Sequence, residues 1–113
     1  MTIYEDLRGV QRRALVGQYV LLALMGLVAA LQLAFSEDTV ANIRAVADLV
    51  REAHSKGAEV VLPPELFEGP YFCRIEDETQ FANARAANEN PSVLAMQELA
   101  RELKIWIPTS FFE

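Results

Sequence analysis

Two glutamates, Glu65 and Glu68, stand three residues apart in the string Glu59-Val60-Val61-Leu62-Pro63-Pro64-Glu65-Leu66-Phe67-Glu68. Glu59 to Leu62 is a short β-branched run stopped by two prolines, the pattern of a buried strand. A carboxylate placed directly after such a strand stands at its C-terminal end, where open α/β sheets put their ligand sites. The prolines stiffen the backbone, and Phe67, Tyr71 and Phe72 follow closely. Apolar neighbours disfavour an ionised carboxyl, which suits Glu65 to general-base chemistry. The same pattern also fits a solvent-exposed loop acid, and Glu68 competes for any basic role.

The remaining chemistry-bearing residues are few. Cys73 is the single cysteine, which excludes an intramolecular disulfide, and with the single histidine, His54, it leaves a Cys/His zinc site out of reach. No residue set implies a metal or a cofactor. Lys56 and Lys104 are the two lysines, and each closes a helix pattern, where a cation complements the helix dipole. His54 falls in the last turn of the first of these helices and reads the same way.

The chain has 113 residues, 52% of them hydrophobic, with 10 basic residues against 16 acidic ones and a net charge of −6. That length suits one small domain. The acidic balance argues against a nucleic-acid partner, which needs a basic stripe, and the apolar content excludes low-complexity disorder. The charge is unevenly divided. Residues 1–35 carry a net +1 from Arg8, Arg12 and Arg13 against Glu5 and Asp6, whereas residues 36–113 carry a net −7.

Between these regimes, Ala14 to Phe35 is an uncharged run of 22 residues, long enough for an apolar helix to cross a bilayer. Its basic N-terminal flank would hold that end in the cytoplasm, as in an inner-membrane protein. The competing expectation splits the run, with Leu27–Phe35 as a first strand. Downstream, Ser36-Glu37-Asp38-Thr39 offers N-cap candidates and first-turn acids. Val40, Ile43, Val46, Ala47, Val50 and Ala53 then recur at helical spacing up to Gly57. Residues 65–75 read as an irregular loop, and Glu76–Arg85 as a short acidic helix. Asn90-Pro91 opens a second long helix with Leu94, Ala95, Leu99 and Leu103 on its apolar face, and Ile105–Phe112 as a further strand. The order strand-helix-strand-helix-strand is α/β organisation with mostly parallel strands.

The string from Gly57 to Cys73, and PPELFEGPYFC within it above all, resembles the first signature of the nitrilase superfamily of carbon–nitrogen hydrolases. More narrowly, it resembles the N-carbamoylputrescine amidase branch of that family. AALQLAF at residues 29–35 and IWIPTSFFE at residues 105–113 agree with it. The resemblance implies two domain segments, an N-terminal extension over 1–26 without a family counterpart and the N-terminal part of a hydrolase domain over 27–113. It implies part of an α-β-β-α sandwich, preceded by the apolar extension. The family chemistry uses a Glu, a Lys and a Cys. The thiolate attacks the carbonyl carbon, the Glu serves as general base and then general acid, and the Lys helps hold the oxyanion. Glu65 matches the catalytic glutamate by its place in the motif. The family Lys and Cys lie downstream of the segment that ends here at Glu113, and neither lysine nor Cys73 matches them. A small amide or carbamoyl-amine substrate and a cytoplasmic location are implied for the family. For this chain by itself the expectation is inactivity, with the last strand's open edge available to a second copy or a full-length relative.

Overall fold

The computed structural model describes residues 26–113. Its elements are β1 (Leu27–Ala30), α1 (Thr39–Ser55), β2 (Ala58–Leu62), two 3₁₀ turns (Phe72–Arg74 and Glu78–Asn83) and α2 (Pro91–Leu103). The 1–26 extension falls almost entirely outside the described residues, as does the Ala14–Met25 part of the apolar run. Its last residues do not continue a helix, because Leu27–Ala30 is a β-strand. Among the described residues no helix is long and apolar enough to cross a membrane.

Local chemistry sets both helices. Asp38 caps α1, its side chain accepting from the Ala41 N–H at 3.0 Å. The helix stops at Lys56, and Gly57 follows with φ of 96°, a conformation that a side chain would strain. Asn90 caps α2 by accepting from the backbone N–H groups of Ser92 and Val93, with Pro91 at the first helical position.

β1 and β2 are parallel neighbours joined through α1, with Val28 opposite Val60, Ala29 opposite Val61 and Ala30 opposite Leu62. The first strand is shorter than the expected Leu27–Phe35. The expected third strand over Ile105–Phe112 is reduced to one parallel bridge between Val60 and Trp106. There the Val61 N–H donates to the Trp106 carbonyl and the Trp106 N–H to the Glu59 carbonyl, each at 2.9 Å. A strand needs a ladder, and beyond this bridge the segment finds none among the described residues. The expected acidic helix is only the 3₁₀ turn Glu78–Asn83.

One core joins the elements: Val46 and Val50 from α1, Val61 from β2, Phe67 from the loop, and Met96 and Leu99 from α2. Two residues expected on apolar faces lie outside it, Val40 at 67% exposed and Leu94 at 45%. On α2, Leu99 is buried and Ala95 and Leu103 pack against the core as expected, whereas Leu94 stays exposed and Val93 and Met96 are buried in addition. Val28, Leu62 and Trp106, linked by the strand register and the bridge, remain exposed.

Candidate functional site

Glu65 opens a four-residue turn directly after β2 and Pro63-Pro64. It stands at the C-terminal end of a parallel strand, the position that the α/β rule selects. Its side chain is exposed, so the expected apolar enclosure of Glu65 is not formed. The aromatic residue that goes inward is Phe67, 1% exposed and 6.5 Å from Phe35 between ring centroids. Burying Phe67 anchors the turn and leaves Glu65, two residues earlier, facing outward.

The rest of the turn is tied to distant elements. Leu66 has φ of 50°, a left-handed conformation uncommon for a residue with a β-carbon, and its N–H donates to Ser110 Oγ at 2.9 Å. The Glu68 carbonyl accepts from Asn42 Nδ2 at 3.0 Å. Glu68 Oε1 accepts from Ser92 Oγ at 2.6 Å. Asn42, Asn90 and Ser92 are the buried polar residues of the described chain. Sequence patterning did not single out Asn42, Ser92 or Ser110, because each is a polar residue whose partner is dozens of positions away. The one local signal was Asn90, legible as a cap.

Tyr71 and Cys73 lie on the loop after this turn. The Tyr71 phenol is raised above its ordinary range, first by the neighbouring Cys73 thiol and next by the negative charge of Glu65. Leu66, Glu68, Tyr71, Arg74, Arg85 and Phe112 help line an open groove of about 440 Å³ beside the turn. Arg85 is committed to the carbonyls of Ala82 and Ala84. Asp77, at the start of the second 3₁₀ turn, is held below its ordinary value by hydrogen bonds from Thr79 and then Gln80, a local cap remote in role from the groove.

The lysines sit elsewhere. Lys56 caps the end of α1, paired with Glu52, just before β2 begins. Lys104 ends α2, two residues before Trp106, which pairs with Val60 in the middle of β2. The backbone of both therefore lies toward the N-terminal end of β2, whereas Glu65 follows its C-terminal end. His54, in the last turn of α1, has a buried Nδ1 with no hydrogen-bond partner. Among the described residues no three His, Cys, Asp or Glu side chains cluster to hold a metal ion.

The carbon-nitrogen hydrolase family profile matches residues 27–113. Over 86 residues, 76% of this chain, the sequence is 49% identical to an N-carbamoylputrescine amidase of Arabidopsis thaliana and 48% identical to that of Solanum lycopersicum, covering 29% of each relative. It is 34% identical over the same length to a citrullinase of Francisella tularensis, covering 30% of it. The chain thus spans less than a third of the length of these relatives.

Proposed function

The chain belongs to the carbon-nitrogen hydrolase family, and from that premise we propose that Glu65 is the general base of a hydrolase acting on small carbamoyl-amines. The observation that carries this is the position of Glu65 in the chain and in the fold. It stands in the PPELFEGPYFC motif and directly beyond the C-terminal end of β2, accessible to a ligand. N-carbamoylputrescine and citrulline, the substrates named by the relatives, share a terminal carbamoyl group on an amine, which sets the substrate class. In the reaction one water and one carbamoyl-amine give the free amine, ammonia and carbon dioxide. Glu65 would take the thiol proton of the attacking cysteine, pass it to departing ammonia, and then deprotonate the water that hydrolyses the acyl-enzyme.

That chemistry also needs a nucleophile and an oxyanion partner. Lys56 and Lys104 are at the wrong end of β2 for the second task. Cys73 belongs to the glutamate's own motif, and its neighbour Tyr71 offers no base. We therefore propose that the 113-residue chain alone turns over no carbamoyl-amine. The test is ammonia release from N-carbamoylputrescine and from citrulline by the purified chain. Background rates are expected for the wild type and Glu65→Gln alike. Turnover abolished by Glu65→Gln would show that the chain holds its own complete catalytic set. A second reading, association with another polypeptide, is favoured by the exposed Val28, Leu62 and Trp106 on one sheet face. Restored turnover on mixing with a longer relative, again lost in Glu65→Gln, would join the two readings.

A further inference from the structure

The turn that carries Glu65 is restrained from three directions. Leu66 is held in its left-handed conformation by the bond from its N–H to Ser110 Oγ, and Phe67 is fixed in the core. Glu68 is gripped at both its backbone and its side chain. Asn42, 4% exposed, donates to the Glu68 carbonyl, and Ser92, 1% exposed, lies at hydrogen-bond distance from its carboxylate. Ser92 Oγ is 2.6 Å from Glu68 Oε1 and also 2.6 Å from Asn90 Oδ1, but a hydroxyl has one proton to give. Asn90 Oδ1 already accepts from two backbone N–H groups. The Glu68 carboxylate, as the charged acceptor, takes the hydroxyl proton. One hydroxyl thereby couples the first turn of α2 to the turn behind β2.

We propose that Glu68, gripped by Ser92 and Asn42, is a positioning residue for Glu65. It touches none of the reacting atoms. It keeps the strained turn in the one conformation that presents Glu65 beyond the strand while Phe67 stays buried. Beyond their local bonds to Ser36 and to the first turn of α2, the buried Asn42 and Ser92 each spend one hydrogen bond on Glu68. The functional meaning rests on the reading of Glu65 as a general base; the geometry does not.

Tyr71 provides a reporter, because the Glu65 charge contributes to its raised phenol. The experiment follows the Tyr71 ring carbon by NMR through its titration, together with amide exchange, in the full 113-residue chain. Glu65→Gln lowers the Tyr71 midpoint and sets the scale. Ser92→Ala is expected to lower it as well, and to speed exchange of the Leu66 amide about tenfold relative to the Met96 and Leu99 amides of α2. Ser92→Thr keeps the hydroxyl and is expected to match the wild type on both readouts. Glu68→Ala repeats the test from the other side of the bond if Ser92→Ala does not fold. A Tyr71 midpoint unmoved in Ser92→Ala and Glu68→Ala overturns the proposal, as does uniform acceleration of all amides, which would mark a merely structural bond. If Glu65→Gln itself leaves the midpoint in place, Leu66 exchange alone decides, and a rate unchanged in Ser92→Ala and Glu68→Ala overturns the proposal. Since turnover enters none of these readouts, the positioning role and the chemical role of Glu65 stand or fall separately.

Discussion

Replacing Asn42 with alanine removes a side chain that joins the β1–α1 loop, the first turn of α1 and the Glu65 turn. Asn42 Nδ2 donates to the Ser36 carbonyl at 2.7 Å and to the Glu68 carbonyl at 3.0 Å, and Oδ1 accepts from the Ser36 N–H at 3.0 Å. With Asn42 only 4% exposed, water replaces these bonds poorly. At about 1 kcal/mol for each bond the loss is about 3 kcal/mol, and alanine's better helix propensity returns about 0.5 kcal/mol. A net destabilisation of about 2.5 kcal/mol is expected, a large share of the stability of a small domain. Urea unfolding of the full chain, monitored by the exposed Trp106 and by helical circular dichroism, measures it. Asn42→Asp sharpens the test, because an ionised carboxylate offers no donor to the two carbonyls that Nδ2 serves. The neutral acid recovers one donor and is favoured in the fold, so the folded pKa of the introduced carboxyl lies above its unfolded value. The variant's stability must therefore rise as pH falls through that raised value. A loss below about 1 kcal/mol for Asn42→Ala, or an Asn42→Asp penalty that ignores pH, would refute the claim that this side chain bonds the turn from a buried site.

Phe67→Ala is expected to destabilise by about 3–5 kcal/mol, the usual cost of deleting a buried aromatic ring, because Phe67 is 1% exposed within the core; the urea midpoint reads it. The Arg51–Glu102 pair at 2.7 Å joins α1 to α2 at the surface, and its hydrogen bond from Arg51 holds the Glu102 carboxyl below the ordinary 4.5. A depressed folded pKa means that this contribution is present above about pH 4.5 and is lost as pH falls through the lower folded value. Thermal midpoints of Glu102→Gln should accordingly converge on the wild type in acid. The difference at neutral pH is expected to be small and to vanish at high salt, since both side chains are half exposed.

Much of the fold is legible because its signals are local. Asp38, Gly57 and Asn90-Pro91 mark three helix boundaries through hydrogen bonds and backbone angles that span a few residues, and each boundary lies where those residues put it. The Glu59–Leu62 run forms a strand because its apolar side chains have a helix to lie against. The face of α2 was legible in Ala95, Leu99 and Leu103, but its edge was not: Met96 joins the core with Phe67 and the α1 valines, whereas Leu94 stays exposed. The third strand failed for a related reason: β-propensity in Ile105–Phe112 becomes a ladder only where a neighbour offers one, and the described chain offers Val60 alone.

By itself the sequence determined the family, the caps, the central strand and the candidate acid, since a motif and a capping residue act over distances the chain fixes covalently. Tertiary structure alone decided that Glu65 faces outward while Phe67 goes in, that both lysines lie at the far end of β2, and that Asn42, Ser92 and Ser110 hold the turn. Those facts depend on contacts between residues 24 to 44 positions apart. A buried hydrogen bond of that kind leaves no periodicity in the sequence, and it exists only once packing has brought its two ends together.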